Sequence, residues 1–354
     1  MNAAHDYFEP GVTIGSLLRS RAGNDGSTIF CRATDRSLTY AALSAEVGQL
    51  AGFLGSRGLG LGDRVAIMLP HTPDHIVVLL ALARIGAIAV PLNPQLQGKS
   101  LEYILDHSEP AALICDRAFE DRIIPALHVV PVARVWWRGG APAELRPDDR
   151  PLPVISELTG HTPPEFVATE DTTTAICYTS GTTGPPKGVL LSDKMYRCAA
   201  TSSLILSGIK AGDLPLFWEP MYHLFGIEVV ILALMKPVTL IMVDRFSASG
   251  FWDAAREGGA THIHYVGGVL QLLLKQPPSE QDRNHQVRAA WGGGCPTQIW
   301  DEMERRFGLG MRDSFGMTET SALNIVNLGG VAGALGKPLP YFEARVLDDD
   351  GSPT

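Results

Sequence analysis

The chain has no apolar run fit to span a bilayer. Its longest, Ile76 to Leu92, is broken by Arg84 and Gly86 and reads as a buried helix running into a strand, so no membrane span is expected. Cysteine is scarce: Cys31, Cys115, Cys177, Cys198 and Cys295 are scattered, odd in number and without a CxxC pair. That excludes a disulfide framework or a zinc finger and leaves thiols packed as small hydrophobes. Basic charge is in deficit, 29 Lys and Arg against 38 Asp and Glu for a net charge of -9, which disfavours nonspecific nucleic-acid binding. The opening Met1-Asn2-Ala3-Ala4-His5-Asp6 lacks the basic and apolar regions of a secretory signal, so a cytoplasmic location is expected. Disorder is also excluded: 45% of the 354 residues are hydrophobic and 19% charged, enough for one large or two medium globular domains.

What is present centres on Thr179-Ser180-Gly181-Thr182-Thr183-Gly184-Pro185-Pro186-Lys187-Gly188. Glycines admit backbone N–H groups close to an anion, hydroxyls add donors, and lysine adds a compact positive charge, so the run reads as a phosphate loop. It follows Thr172 to Tyr178, a β-branched apolar stretch read as the strand that delivers it. Walker A spacing is missing, because counting from Gly181 puts Pro186 at the second glycine and Gly188 at the hydroxyl.

Along the chain, helix and strand patterns alternate. Val47, Leu50, Ala51 and Leu54 define one helix face, followed by a strand at 64–69, a helix at 74–85, a strand at 87–92, a helix at 100–107 and a strand at 111–116. Residues 131–170 lose periodicity and gain Pro, Gly and charge, which predicts a surface connection. Alternation then resumes, with helices at 192–206, 249–257, 269–275 and 297–307 and strands at 238–243, 261–266 and 286–291. The expectation is α/β: two doubly wound subdomains, 1–170 and 171–354, the second carrying the phosphate loop and nucleotide site, with a small β-rich segment starting near the carboxyl end.

A second cluster, Asp313-Ser314-Phe315-Gly316-Met317-Thr318-Glu319-Thr320, supplies an aromatic face for a purine, a hydroxyl for the α-phosphate and a carboxylate for Mg²⁺. Between the two lies Trp291-Gly292-Gly293-Gly294-Cys295-Pro296, whose glycines permit close backbone approach to a planar ligand. His262 and His264 share one strand face by their spacing, but no carboxylate accompanies them in sequence, so they read as structural.

These motifs resemble the adenylate-forming superfamily of acyl-CoA synthetases, nonribosomal peptide adenylation domains and firefly luciferase. The phosphate loop matches at every position, and Phe315-Gly316-Met317-Thr318-Glu319 resembles the family's Tyr-Gly-x-Thr-Glu with Phe for Tyr. Gly293-Gly294-Cys295-Pro296 resembles its Gly-Gly-Ala-Pro element, bordering adenine and the acyl pocket, with Cys for Ala. Glu219 to Gly226 resembles the segment whose His or aromatic lines the passage between carboxylate and pyrophosphate, here His223. Leu38 to Asn93 resembles the amino-terminal subdomain, and Val266 to Pro278 resembles the acyl-pocket helix of crotonobetaine/carnitine-CoA ligases.

The resemblance implies ATP, Mg²⁺ and coenzyme A, with Thr318, Glu319, Lys187 and His223 catalytic and Glu319 on the metal. ATP would be held by Thr179 to Gly184, Lys187, Gly292 to Gly294 and Asp313 to Thr318, namely Asp313, Ser314, Phe315, Gly316, Met317 and Thr318; Ser180, Gly181, Thr182 and Thr183 form the loop's centre, and Gly293 lies within the triglycine. An acyl pocket of Tyr222, His223, Phe225, Gly226, Tyr265, Val266, Gly268, Leu270 and Gly293 suggests a bulky apolar acid, with Gly226, Gly267 and Gly268 leaving room. A homodimer is left open. The family's small carboxyl-terminal domain is expected to be absent, leaving the large domain nearly inactive alone. Loading of a carrier-protein thiol, or a nucleotide-binding module that has lost catalysis, are the alternatives.

Overall fold

The computed structural model describes residues 11–179 and 184–353. Among these, the strands form two sheets. The seven-stranded sheet runs in the order 149–151, 135–138, 112–116, 64–68, 88–91, 173–179 and 187–192, parallel throughout until the last pair. The nine-stranded sheet runs 337–338, 322–327, 310–317, 289–293, 262–266, 215–217, 240–242, 29–32 and 37–39, parallel in its centre and antiparallel at both edges.

Helices make this a stack of five layers. The helices Ile14–Asn24, Tyr40–Ser56, Pro73–Ile85, Asp193–Ser207 and Leu224–Met235 share one core with the inner faces of both sheets. Helices Gly98–Ser108 and Glu120–Val129 cover the outer face of the seven-stranded sheet, and Phe251–Gly258, Gly268–Leu274 and Thr297–Phe307 cover that of the nine-stranded sheet. Leu224–Met235 lies in the middle layer, and its sequence, apolar nearly all round, suits burial on every side. No helix of the described residues is long and apolar enough to cross a membrane.

The two doubly wound halves do not divide at 170/171. Strand Thr173–Thr179 pairs with Ile88–Pro91, and Ile29–Arg32 pairs with Leu240–Met242, so each half of the chain lends strands to the other's sheet. The connection read at 131–170 also contains two strands: Trp136 and Trp137 are both buried, because helices cover this sheet on both faces and the strand needs no alternation. Asp74 accepts from Arg36, beside one sheet, at 2.6 Å and from Arg138, in the other, at 2.7 Å.

Burial also makes the fold sensitive to acid. Desolvation lowers the imidazole of His71, takes His75 down to about 3 and His262 down to about 4, the last opposed by Asp213. Folded values below the unfolded value of about 6.5 mean that this stability is full above that pH and is lost as pH falls toward the folded values, by up to about 1.4 kcal/mol per pH unit for each ring. Calorimetric melting should therefore fall between pH 7 and 5, and less steeply for His75→Gln. Identical pH slopes for the two proteins would show that His75 takes no part.

Candidate functional site

Strands Thr173–Thr179 and Lys187–Ser192 form a hairpin in which Thr179 opposes Lys187 and Tyr178 opposes Gly188. Lys187 thus begins a strand and is exposed beside Gly184 at the hairpin's mouth. Ser180, Gly181, Thr182 and Thr183 lie outside the described residues.

A second hairpin approaches from the other sheet. Strand Gly310–Met317 turns through Thr318–Thr320 into Ala322–Asn327, and Ser321 closes the turn at φ 61, a left-handed conformation uncommon for serine. The two tips meet: Thr179 Oγ1 donates to Glu319 Oε1 at 3.3 Å, joining residues 140 apart in sequence. Thr318 is half-buried and Glu319 exposed, while Phe315 and Met317 present large apolar side chains to solvent at 45% and 48% exposure. No group of three or more His, Cys, Asp or Glu placed to hold a metal occurs among the described residues. A single carboxylate suits Mg²⁺ that arrives on a triphosphate and keeps phosphate and water as its other ligands.

The triglycine ends strand Ala289–Gly293, between strands His262–Val266 and Gly310–Met317. Gly292 is pressed on the neighbouring strand, where an added Cβ would stand 1.9 Å from the Tyr265 carbonyl oxygen. Gly293 accepts the Gly267 N–H at 3.0 Å, and Gly294 has φ +82. Below them Tyr265 O–H donates to Asp313 at 2.8 Å, and the Cys295 N–H donates to the same carboxylate at 3.2 Å. Burial raises the Asp313 pKa, opposed by these bonds and by the N–H groups of Ser314 and Gly294.

His223 caps helix Leu224–Met235, its Nδ1 accepting the Phe225 N–H at 3.3 Å, and its ring stacks on Phe225 at 5.1 Å. The ring is open to solvent on one side, yet desolvation on the other lowers its pKa, and His264 adds to this. Tyr222 and Phe225 are half-buried; Val266 and Gly268 are exposed.

Residues 18–354 match the family model described as AMP-binding enzyme. The chain belongs to the AMP-binding enzyme family. Its relatives include the medium/long-chain-fatty-acid–CoA ligase FadD6 of Mycobacterium tuberculosis, 31% identical over 97% of this chain and 57% of that protein. Another is the crotonobetaine/carnitine–CoA ligase of Salmonella heidelberg, 28% identical over 94% of this chain and 66% of that protein. The chain thus spans less than two thirds of these relatives' length. The solved N-terminal domain of FACL13 from Mycobacterium tuberculosis shares the fold, with a TM-score of 0.82 at 24% identity, covering 97% of this chain and 86% of that one.

Several residues of this chain are placed otherwise than the sequence suggests. Asp313 and Ser314 are buried with their side chains bonded inward, Ser314 Oγ donating to the Gly292 carbonyl at 2.5 Å, so any ligand meets them through the backbone alone. Tyr265, in strand His262–Val266, and Leu270, in helix Gly268–Leu274, are wholly buried in the core on the outer face of the nine-stranded sheet. Gly226 and Gly267 serve close packing, since a Cβ would stand 2.4 Å from the Pro220 carbonyl oxygen and 2.5 Å from that of Gly294. Gly268 alone of the three faces open space. His262 and His264 do have carboxylates, Asp213 at 3.7 Å and Glu219 at 2.8 Å, brought from just before and just after strand Pro215–Phe217. No local pattern announces such pairs.

Proposed function

We propose that this chain builds the acyl-adenylate stage of an ATP-dependent acyl-CoA ligase. The observation that carries the reading is the Thr179–Glu319 bond, which brings a phosphate-type hairpin and an acidic turn to one point. Mg²⁺ carried by ATP would neutralise phosphate charge at Glu319. A substrate carboxylate oxygen bonds to the α-phosphorus as the bond to pyrophosphate breaks, and the adenylate's carbonyl then accepts the thiol of coenzyme A with AMP leaving.

Little covalent work falls to the protein, so alignment and charge neutralisation dominate. Lys187 stands exposed at the start of its strand as the cation, Thr318 offers a hydroxyl to the α-phosphate, and Phe315 offers its exposed ring to adenine. The depressed pKa of His223 keeps its imidazole neutral at pH 7, so it can line the carboxylate's path without trapping the anion. Around Tyr222, Phe225, Val266 and Gly268 the wall suits a bulky, largely apolar acid. An amino acid is disfavoured, because Glu219, the acid nearest this wall, is already engaged with His264 and the Trp218 N–H.

Pyrophosphate release across a panel of carboxylic acids, with and without coenzyme A, tests the reading, supported by binding of acyl-sulfamoyl-adenosine analogues to this chain. Ring-bearing and apolar acids should exceed acetate and amino acids. Turnover or binding confined to amino acids would reject it.

A further inference from the structure

Behind the acyl wall sits a polar pair in apolar surroundings. His264 and Glu219 are almost wholly buried, with His264 Nδ1 2.8 Å from Glu219 Oε1. Glu219 Oε2 accepts the Trp218 N–H at 3.1 Å, and the Trp218 indole N–H donates to the His264 carbonyl at 3.1 Å, so the pair is tied in from two sides. The imidazole stacks on Trp291 at 4.0 Å, and Phe225 meets its edge at 5.3 Å. Three atoms here are buried with no hydrogen-bond partner, Nδ1 and Nε2 of His264 and Oε1 of Glu219; Nδ1 and Oε1 stand against each other as an ion pair, while Nε2 has neither kind of partner among the described residues.

That arrangement costs the fold stability. An unsatisfied buried polar atom is destabilising, and a buried charged pair is often no better than apolar packing of the same volume. Position explains what the cost secures. Alternation along His262–Val266 puts His264 on the same strand face as Val266, whose side chain is exposed at the acyl side. With Phe225 at its edge, His264 forms the floor beneath that wall.

We propose that His264 Nε2 is a specificity contact for a hydroxyl group at the far end of a flat, ring-bearing carboxylic acid, and that Glu219 is the positioning residue that fixes the imidazole. The inference rests on the acyl-adenylate reading above. A carboxylate facing Nδ1 keeps a proton there, which leaves Nε2 an acceptor in the neutral ring and a donor in the charged one. A hydroxyl satisfies either state, where a methyl or hydrogen satisfies neither. The planar faces of His223 and Phe225, stacked on each other at the wall, favour a flat body over a flexible chain.

The test uses this chain and three acyl-sulfamoyl-adenosine probes, made from 3-phenylpropanoic acid and its meta- and para-hydroxyl derivatives, titrated by calorimetry. One hydroxylated probe should bind about tenfold tighter than the parent, the usual scale for one buried polar contact made or missed. His264→Phe should bring that ratio to one, Glu219→Gln should reduce it, and His264→Gln, which keeps a polar end, should retain part of it. His264→Gln and Glu219→Gln carry the test where His264→Phe does not fold. Equal binding of all three probes by the unaltered chain rejects the hydroxyl contact while keeping the adenylate reading; so does a preference that survives His264→Phe. Binding of none of the three rejects the adenylate reading, and this inference with it.

Discussion

Glu319→Gln should remove most of the Mg²⁺-dependent part of ATP affinity while leaving the fold intact. Glu319 is exposed, and glutamine can still accept from Thr179 Oγ1, so the unfolding free energy should hold within the roughly ±0.5 kcal/mol typical of a surface substitution. The charge is what the metal needs. Loss of the carboxylate that meets Thr179 should weaken Mg-ATP by about tenfold or more and slow adenylation by about 10²–10³, the scale seen when one preorganised charge-stabilising group is removed. ATP without Mg²⁺ should bind both proteins alike. Calorimetric titration with and without the metal checks this, and an undiminished Mg²⁺ increment in the variant would remove Glu319 from the metal.

Gly292→Val should be the most damaging single substitution at the site. An added Cβ there would stand 1.9 Å from the Tyr265 carbonyl oxygen, a backbone atom of the paired strand that cannot swing aside as a side chain can. The strands must therefore separate, and with them the Gly267–Gly293 bond and the Tyr265–Asp313 contact beneath. Overpacking of this kind costs about 1–3 kcal/mol and occasionally more; here the upper end or beyond is expected, with loss of adenylate-analogue binding. Denaturant unfolding measures the first and calorimetry the second. A variant as stable as the parent would mean that the two strands have slack.

How much of this was legible in the sequence depended on whether the signal was local. The alternating elements from Arg64 to Asp116 and the helix Thr297–Phe307 stand where periodicity puts them, because each buries one face or one run. The helix Leu224–Met235 carries no such period, being buried on all sides, and was visible only as a motif. Trp136-Trp137 looked like loop because surrounding Pro, Gly and charge outweighed a short strand covered on both faces. At the site, the residue types were plain but their directions were not: Asp313 and Ser314 are both buried while Phe315 is exposed, a pattern that no two-residue alternation announces, and a bulge follows between Phe315 and Gly316. The Glu219–His264 pair joins residues 45 apart, and only the sheet brings them together.

Exchange of strands between the two halves has a consequence for how this protein could be taken apart. Cutting the chain at 170/171 would strand Ile29–Arg32 and Ser37–Thr39 away from the sheet they edge, and would cost the other sheet its hairpin Thr173–Ser192. Each fragment would carry an unfilled sheet edge that only its counterpart can complete. The halves are thus mutual templates, and the point where Thr179 meets Glu319 exists only after both sheets have closed.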